Sequence, residues 1–218
     1  MKAPHICAVI TSPDIEAVRQ VEQMADLFEL RLDLLGTGWE YVATAMRKPW
    51  IATNRLKSEG GAWKGSEEAR RDELLKAIKA GASIVDIELA SPGIDEIVPQ
   101  IKSSAKCLIS HHDLTGTSPH SHLQQVIEDA LANGADMCKV VTTAHSAEDN
   151  LNVLELIQEF RNAQIIAFAM GSQGQLSRIL CPFFGSRFTY AAVSEGRESA
   201  DGQLSVAQMH RLYESLKS

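Results

Sequence analysis

The feature that most constrains this chain is a regular alternation, in which eight short apolar runs are each followed by a stretch with helical character. The apolar runs fall at residues 5–10, 27–34, 50–55, 84–89, 106–112, 137–141, 165–170 and 189–193. The helical stretches fall at 14–24, 39–47, 66–79, 94–102, 121–132, 147–160, 175–180 and 205–216. Gly81 and Asn133–Gly134 stand where helix C-termini need a stop. Such an alternation implies parallel strands joined by right-handed crossovers. Eight repeats predict an α/β protein of the (β/α)8 TIM-barrel class, with residues 1–218 as a single barrel domain. A doubly wound open sheet is the alternative, but no strand is followed by a GxGxxG turn or a P-loop.

At 218 residues the chain suits one such barrel and is short for two domains. Its net charge is −7, with no basic run, which argues against a nucleic-acid surface. The N-terminus leads straight into an apolar strand interrupted by Pro13–Asp14, too short for a signal peptide, and no stretch is long enough to span a membrane. Cys7, Cys107, Cys138 and Cys181 are scattered and form no CxxC pair. They read as reduced packing residues of a cytoplasmic protein rather than a disulfide or zinc framework.

Parallel strands covered on both faces are normally apolar throughout. Several runs here break that rule in the same way. Glu29, Arg31 and Asp33 share one strand face, as do Asp86 and Glu88, and Ser110 and His112, while Arg55 ends the third strand. A closed barrel has no exposed edge to accommodate so many, so the charges are expected to point into the barrel near its C-terminal mouth. There they must pair: Glu29, Asp33, Asp86 and Glu88 can balance Arg31, Arg55 and Lys139, with Asp33 and Asp86 as candidates for a purely structural role.

Lys139 lies in Gly134–Ala135–Asp136–Met137–Cys138–Lys139–Val140–Val141, sharing a face with Met137 and Val141. A poorly solvated amine on the inner face of a buried strand can act as a nucleophile; a snorkelling lysine at a strand end is the plainer reading. His111, His112, His120 and His122 lie close together in sequence. His111 and His112 would point to opposite faces, which argues against one metal ion between them. An inward histidine near a carboxylate and a lysine suits proton transfer instead.

Taken in order, these segments resemble type I 3-dehydroquinate dehydratases. Glu29–Leu30–Arg31–Leu32–Asp33 is similar to that family's second-strand motif, and Arg55–Leu56–Lys57–Ser58–Glu59–Gly60–Gly61 to its Arg-x-x-x-Glu-Gly-Gly loop. Val85–Asp86–Ile87–Glu88–Leu89, Ser110–His111–His112–Asp113 and Gly134–Ala135–Asp136–Met137–Cys138–Lys139 follow. So do Met170–Gly171, Ser177–Arg178, Gly185–Ser186 and Ser199–Ala200–Asp201–Gly202–Gln203. The resemblance implies that Lys139 forms a Schiff base with the ketone of 3-dehydroquinate, that His112 is the general acid–base and that Glu59 orients it. It implies substrate contacts at Glu29, Arg31, Arg55, Arg178, Ser199 and Gln203, no cofactor or metal, and a homodimer in the shikimate pathway. One departure stands out: Asp201 replaces the proline of the family's Ser-Ala-Pro-Gly-Gln lid.

The chemistry agrees with the residues. Losing water beside a ketone requires removal of a weakly acidic C–H proton, and a protonated imine is the electron sink for it, built from the lysine itself. One imidazole can take that proton and later protonate the departing hydroxyl. Arginines and acids at the mouth suit a hydroxylated carboxylate. Another lysine-imine barrel of the class I aldolase type is an alternative, with Gly171–Ser172–Gln173–Gly174 as a possible phosphate nest. A barrel that only binds a small acid is a second. The segment 194–203 carries no large apolar anchor and is expected to act as a mobile lid.

Overall fold

The computed structural model describes residues 4–216. Eight parallel strands alternate with helices: β1 Ile6–Ile10, β2 Leu27–Arg31, β3 Trp50–Thr53, β4 Ile84–Glu88, β5 Lys106–His112, β6 Met137–Thr143, β7 Ile165–Met170 and β8 Thr189–Ala192. They pair in the order β7-β6-β5-β4-β3-β2-β1-β8. The result is a barrel, nearly closed, as the alternation predicts. Both faces of the strands are buried: every residue of β1, β2, β3, β4 and β8 is inaccessible or nearly so. The outward apolar residues meet the helices, and the inward ones fill the barrel.

Among the described residues no strand ladder joins β7 to β8. That seam is crossed at its lower end by the Arg187 N–H, which donates to the Ile165 carbonyl at 3.1 Å. At its upper end the Gly171 N–H donates to the Asp201 carbonyl at 3.2 Å.

The helices on the outside are α1 Ile15–Val21, α2 Leu32–Leu35, α3 Trp39–Thr44, α4 Glu67–Lys79, α5 Ile94–Lys102, α6 His120–Ala132, α7 Glu148–Glu159, α8 Gln175–Phe184 and α9 Val206–Ser215. Their starts follow local chemistry. Asp14 accepts from the Ala17 N–H, Ser66 from Ala69, and Ser205 with Gln208 forms a reciprocal capping box before α9. Among the described residues no helix is long and apolar enough to cross a membrane.

Three boundaries differ from the sequence reading in ways that matter for the site. The second strand does not run to Leu34 but stops at Arg31, and Leu32–Leu35 turns into a short helix. Asp33 therefore leaves the strand face it was expected to share. It folds back instead, accepting from Arg31 Nε at 2.9 Å, Arg31 Nη2 at 2.7 Å and the Ala62 N–H at 3.0 Å. The third strand ends at Thr53 rather than at Arg55, which stands in the loop beyond it.

The third difference is α8, which continues past Leu180 to Phe184 through Pro182. A proline in a helix leaves the carbonyl four residues back without its donor. Here that carbonyl belongs to Arg178, and the Thr189 hydroxyl supplies the bond at 2.7 Å. The helix thus survives its proline and is tied to β8 at the residue that carries the Arg178 side chain.

Candidate active site

At the C-terminal mouth lies a cavity of about 350 Å³, lined among others by Glu29, Arg31, Arg55, Glu59, His112 and Lys139 from one side and Phe168, Arg178, Ser199 and Gln203 from the other. The alternation of β6 points Lys139 inward, and it is only 6 % exposed. Its Nζ lies 3.3 Å from Asp86 Oδ2, 3.7 Å from Glu29 Oε1, and 4.2 Å above the centre of the Tyr190 ring. The sequence reading treated this amine as poorly solvated. The structure surrounds it with two carboxylates and an aromatic face, so a positive charge at this place is compensated.

Beside it Arg55 Nη2 donates to Asp86 Oδ2 and Nη1 to the Ser110 hydroxyl, both at 2.7 Å, and Nη1 lies 3.1 Å from Glu88. Burial alone would lower the pKa of Arg55. The surrounding carboxylates, Asp86 and Glu88 foremost, outweigh it and raise the pKa. Burial likewise opposes charge on Asp86, but Arg55, Lys139 and the Ser110 hydroxyl hold its carboxyl down to about 2.

The chain after Arg55 makes a tight turn. A side chain at Gly61 would place its Cβ 2.0 Å from the Arg55 carbonyl oxygen, so only glycine allows this closure. The turn presents Glu59 to β5. Glu59 Oε2 accepts both the His112 backbone N–H at 3.0 Å and the imidazole, with Nδ1 at 2.8 Å. One oxygen facing two donors fixes the tautomer: Nδ1 carries the proton and Nε2 keeps its lone pair. Burial, then the cations Arg55, Lys139 and Arg31, hold the His112 pKa well below its usual value, so the ring is neutral. Burial pushes Glu59 up to about 7, with Glu88 and Asp86 adding to the rise and Arg55 and the His112 N–H opposing it.

The four clustered histidines go to three places. His112 faces the cavity. His111 faces away and meets His122 edge to face at 6.5 Å, while His120 Nε2 lies 2.9 Å from Glu159.

Across the cavity the electrostatics reverse. Arg178 is 1 % exposed, and its guanidinium carbon sits 4.4 Å from the centre of the Phe168 ring. Its Nε and Nη2 have no hydrogen-bond partner, and burial pulls its pKa down to about 10. Above it lies the segment 194–203. Gln203 Oε1 accepts from the Ser199 N–H at 2.8 Å and from its hydroxyl at 3.2 Å, so the amide group left to meet a ligand is the donor NH2. The Gln203 N–H donates back to the Ala200 carbonyl at 3.3 Å. Gly202 at φ +75° makes this a turn of type II geometry with Asp201 at its second position.

The structure therefore brings Lys139, His112, Glu59, Glu29, Arg31, Arg55, Arg178, Ser199 and Gln203 around one cavity. Sequence reasoning missed three of their neighbours: Tyr190 under Lys139, Phe168 under Arg178, and Arg70 behind Glu88.

Comparison with known proteins follows the same line. The profile of the family described as type I 3-dehydroquinase matches residues 6–218. A 3-dehydroquinate dehydratase of Dehalococcoides mccartyi is 46 % identical over 217 residues, covering 99 % of this chain and 97 % of its own. The 3-dehydroquinate dehydratase of Geobacillus kaustophilus superposes with a TM-score of 0.86 at 27 % identity, over 99 % of this chain and 92 % of that one. The type I enzyme of Clostridium difficile gives 0.88 at 24 % identity, covering 99 % and 93 %, a likeness of fold.

Proposed function

The chain belongs to the type I 3-dehydroquinase family and is a hydro-lyase that dehydrates 3-dehydroquinate to 3-dehydroshikimate in the shikimate pathway; we propose that it does so through an imine on Lys139. The observation that carries the mechanism is one cavity holding an inward lysine amine, an imidazole held by Glu59 with Nε2 free, and a buried guanidinium without a partner.

In this reading the Lys139 ammonium releases a proton to water and the freed amine adds to the substrate ketone. A proton is taken back from water as the carbinolamine hydroxyl departs as water, leaving a protonated imine. The iminium carries the charge of the ammonium it replaces, so Glu29, Asp86 and the Tyr190 ring compensate both. His112 Nε2 removes the proton next to the imine carbon, and the electron pair moves into the C=N bond to give an enamine. As the enamine expels the neighbouring hydroxyl, the same imidazole returns the proton, so that group departs as water. Hydrolysis of the conjugated iminium then releases product and lysine. Glu59 keeps the ring in its tautomer and bears the charge of the transient imidazolium. The sink is built from the lysine, so the proposed steps call on no metal or organic cofactor.

The substrate carboxylate is assigned to Arg178, assisted by Ser199 and the Gln203 amide donor, because a desolvated guanidinium is most stabilised by a charge-assisted pair. Glu29, Arg31 and Arg55 stand opposite, where hydroxyl groups need partners. Residues 1–218 act as one catalytic barrel in the cytoplasm, paired as a homodimer on family grounds. The net charge of −7 supports a small-molecule partner rather than nucleic acid.

Adding 3-dehydroquinate to the protein should produce the ultraviolet absorbance of a conjugated enone. Borohydride added during turnover should fix one ligand mass on the peptide containing Lys139. Enone formation with the label on another lysine, such as Lys57 or Lys64, would leave the reaction standing and overturn this mechanism.

A further inference from the structure

We propose that Arg70, a residue of the outer helix layer that never reaches the cavity, is a positioning residue for the dehydration, fixing the loop that carries Arg55 and Glu59. Arg70 projects from α4 and is fully buried. A guanidinium has five N–H donors, and all five are used. Nε and Nη2 grip the two Glu67 carboxylate oxygens at 2.8 Å each, and Nη2 also donates to the Ser91 hydroxyl at 2.7 Å. Nη1 donates to Glu88 Oε2 at 2.6 Å and to the Asn54 carbonyl at 3.0 Å.

The last two bonds reach the site. Asn54 immediately precedes Arg55. Glu88, at the end of β4, passes the constraint on: its other oxygen accepts the Leu56 N–H at 2.9 Å and lies 3.1 Å from Arg55 Nη1. Arg70 thus holds the backbone on both sides of Arg55, directly at Asn54 and through Glu88 at Leu56. The residues that follow, Lys57–Glu59, form the turn that delivers the Glu59 carboxylate to His112. A bidentate fork can serve Glu67 and Glu88 at once in a way an ammonium cannot. Glu88 without Arg70 would share its charge with Arg55 alone, drawing that guanidinium from Asp86.

This inference rests on the imine reading, and the test separates the two. Lys139 is held by Asp86, Glu29 and Tyr190, none of which Arg70 touches, so imine formation should survive its loss while proton transfer does not. Arg70→Met should lower kcat by roughly tenfold to a hundredfold, the scale of a slightly misplaced catalytic group. Arg70→Lys, which keeps one bond to Glu88, should recover part of it. In both variants borohydride should still trap substrate on Lys139 to the wild-type extent. Leu74→Ala, at a buried position of the same helix, serves as the control for stability alone. It should lower Tm without changing kcat per folded molecule. Wild-type protein that fails to trap substrate refutes the imine reading itself. Trapping that falls in step with kcat in the Arg70 variants, or kcat within twofold of wild type, refutes the positioning role. If Arg70→Met does not fold, Arg70→Lys decides: a severalfold loss of kcat with intact trapping supports the role, and full kcat overturns it.

Discussion

Two of the three buried arginines at the barrel mouth, Arg55 and Arg178, have opposite surroundings. Arg55, on the side of β2 to β6, meets carboxylates and a hydroxyl at both its Nη groups, and its pKa rises. Arg178, on the side of β7 and β8, has an aromatic ring beneath it and unpartnered donors, and its pKa falls to about 10. Both are equally inaccessible, so burial does not separate them; counter-charge does. One half of the cavity has its charges balanced by the protein itself and is set for chemistry. The other half leaves a cation for an anionic ligand to balance.

The sharpest way to break this division is to damage the balanced half without touching binding. His112→Ala should lose about a hundredfold to ten-thousandfold in turnover, the usual worth of a general acid–base, while the imine still forms on Lys139. His111→Ala, whose ring packs against His122 outside the barrel, should keep most activity. Equal losses in steady-state assays of the two would end the argument from strand alternation.

The two arginines themselves give the next contrast. Arg55→Met takes one of two cations from each of Asp86 and Glu88, leaving them to Lys139 and Arg70. It should cost up to about 3–5 kcal/mol of stability, the scale for removing one partner of a buried pair. Arg178→Met removes an uncompensated buried charge, so denaturant titration should show the same or greater stability. Its KM should rise about a hundredfold, in line with the roughly 2–5 kcal/mol at stake when a buried charge loses its partner. A large stability loss in Arg178→Met would mean that the cation is already paired within the protein.

A smaller effect tests the pH behaviour of the balanced half. Glu59 must be ionised to accept the His112 proton, and its carboxyl titrates near 7 rather than near 4.5. Turnover should therefore fall by about tenfold per pH unit below that point, as for a single essential ionisation. Glu59→Gln should be slow and should lose that acid limb. A wild-type limb below pH 5 would show that the environment of Glu59 is wetter than the structure makes it.

The smallest effect concerns the lid over the unbalanced half. Asp201 stands at the second position of its turn, where proline is favoured. Proline there would restrict the free loop, typically by about 0.4–1 kcal/mol, and would remove a negative charge near an anionic substrate. Asp201→Pro should lower KM severalfold at low salt. The part due to charge should shrink at high ionic strength, where exposed charges are screened. An unchanged KM would place the Asp201 carboxylate in solvent, away from the substrate.

Much of this was legible in the sequence because barrel strands must be apolar, so each inward charge announces itself. β5, β7 and α5 have the bounds that periodicity gives. β2 was overrun because Leu32–Asp33–Leu34 continues the alternation. Only the structure shows that Asp33 turns back to serve Arg31 and Ala62. α8 was cut short at its proline, because the hydroxyl that relieves Arg178 comes from a distant strand. Arg70 falls in the helical stretch 66–79, with nothing in its immediate neighbours to single it out. Its spacing to Leu74 and Ala77, four and seven residues on, marks it as part of the buried stripe, and that signal was present. The partners of Arg178 could not be read, because what defines that residue is a partner it does not have.

The open seam between β7 and β8 has a mechanical consequence. A barrel lacking one ladder is a sheet whose two edges face each other, and edges are held by whatever spans them. Here the upper fastening is the bond from Gly171 to the Asp201 carbonyl, and Gly202 approaches Gly171 so closely that a Cβ would sit 2.4 Å from its oxygen. The cover of the cavity is thus also the clasp of the barrel. Since Gly171 and Asp201 are already bonded here, whatever holds 194–203 over the cavity also holds the last two staves together.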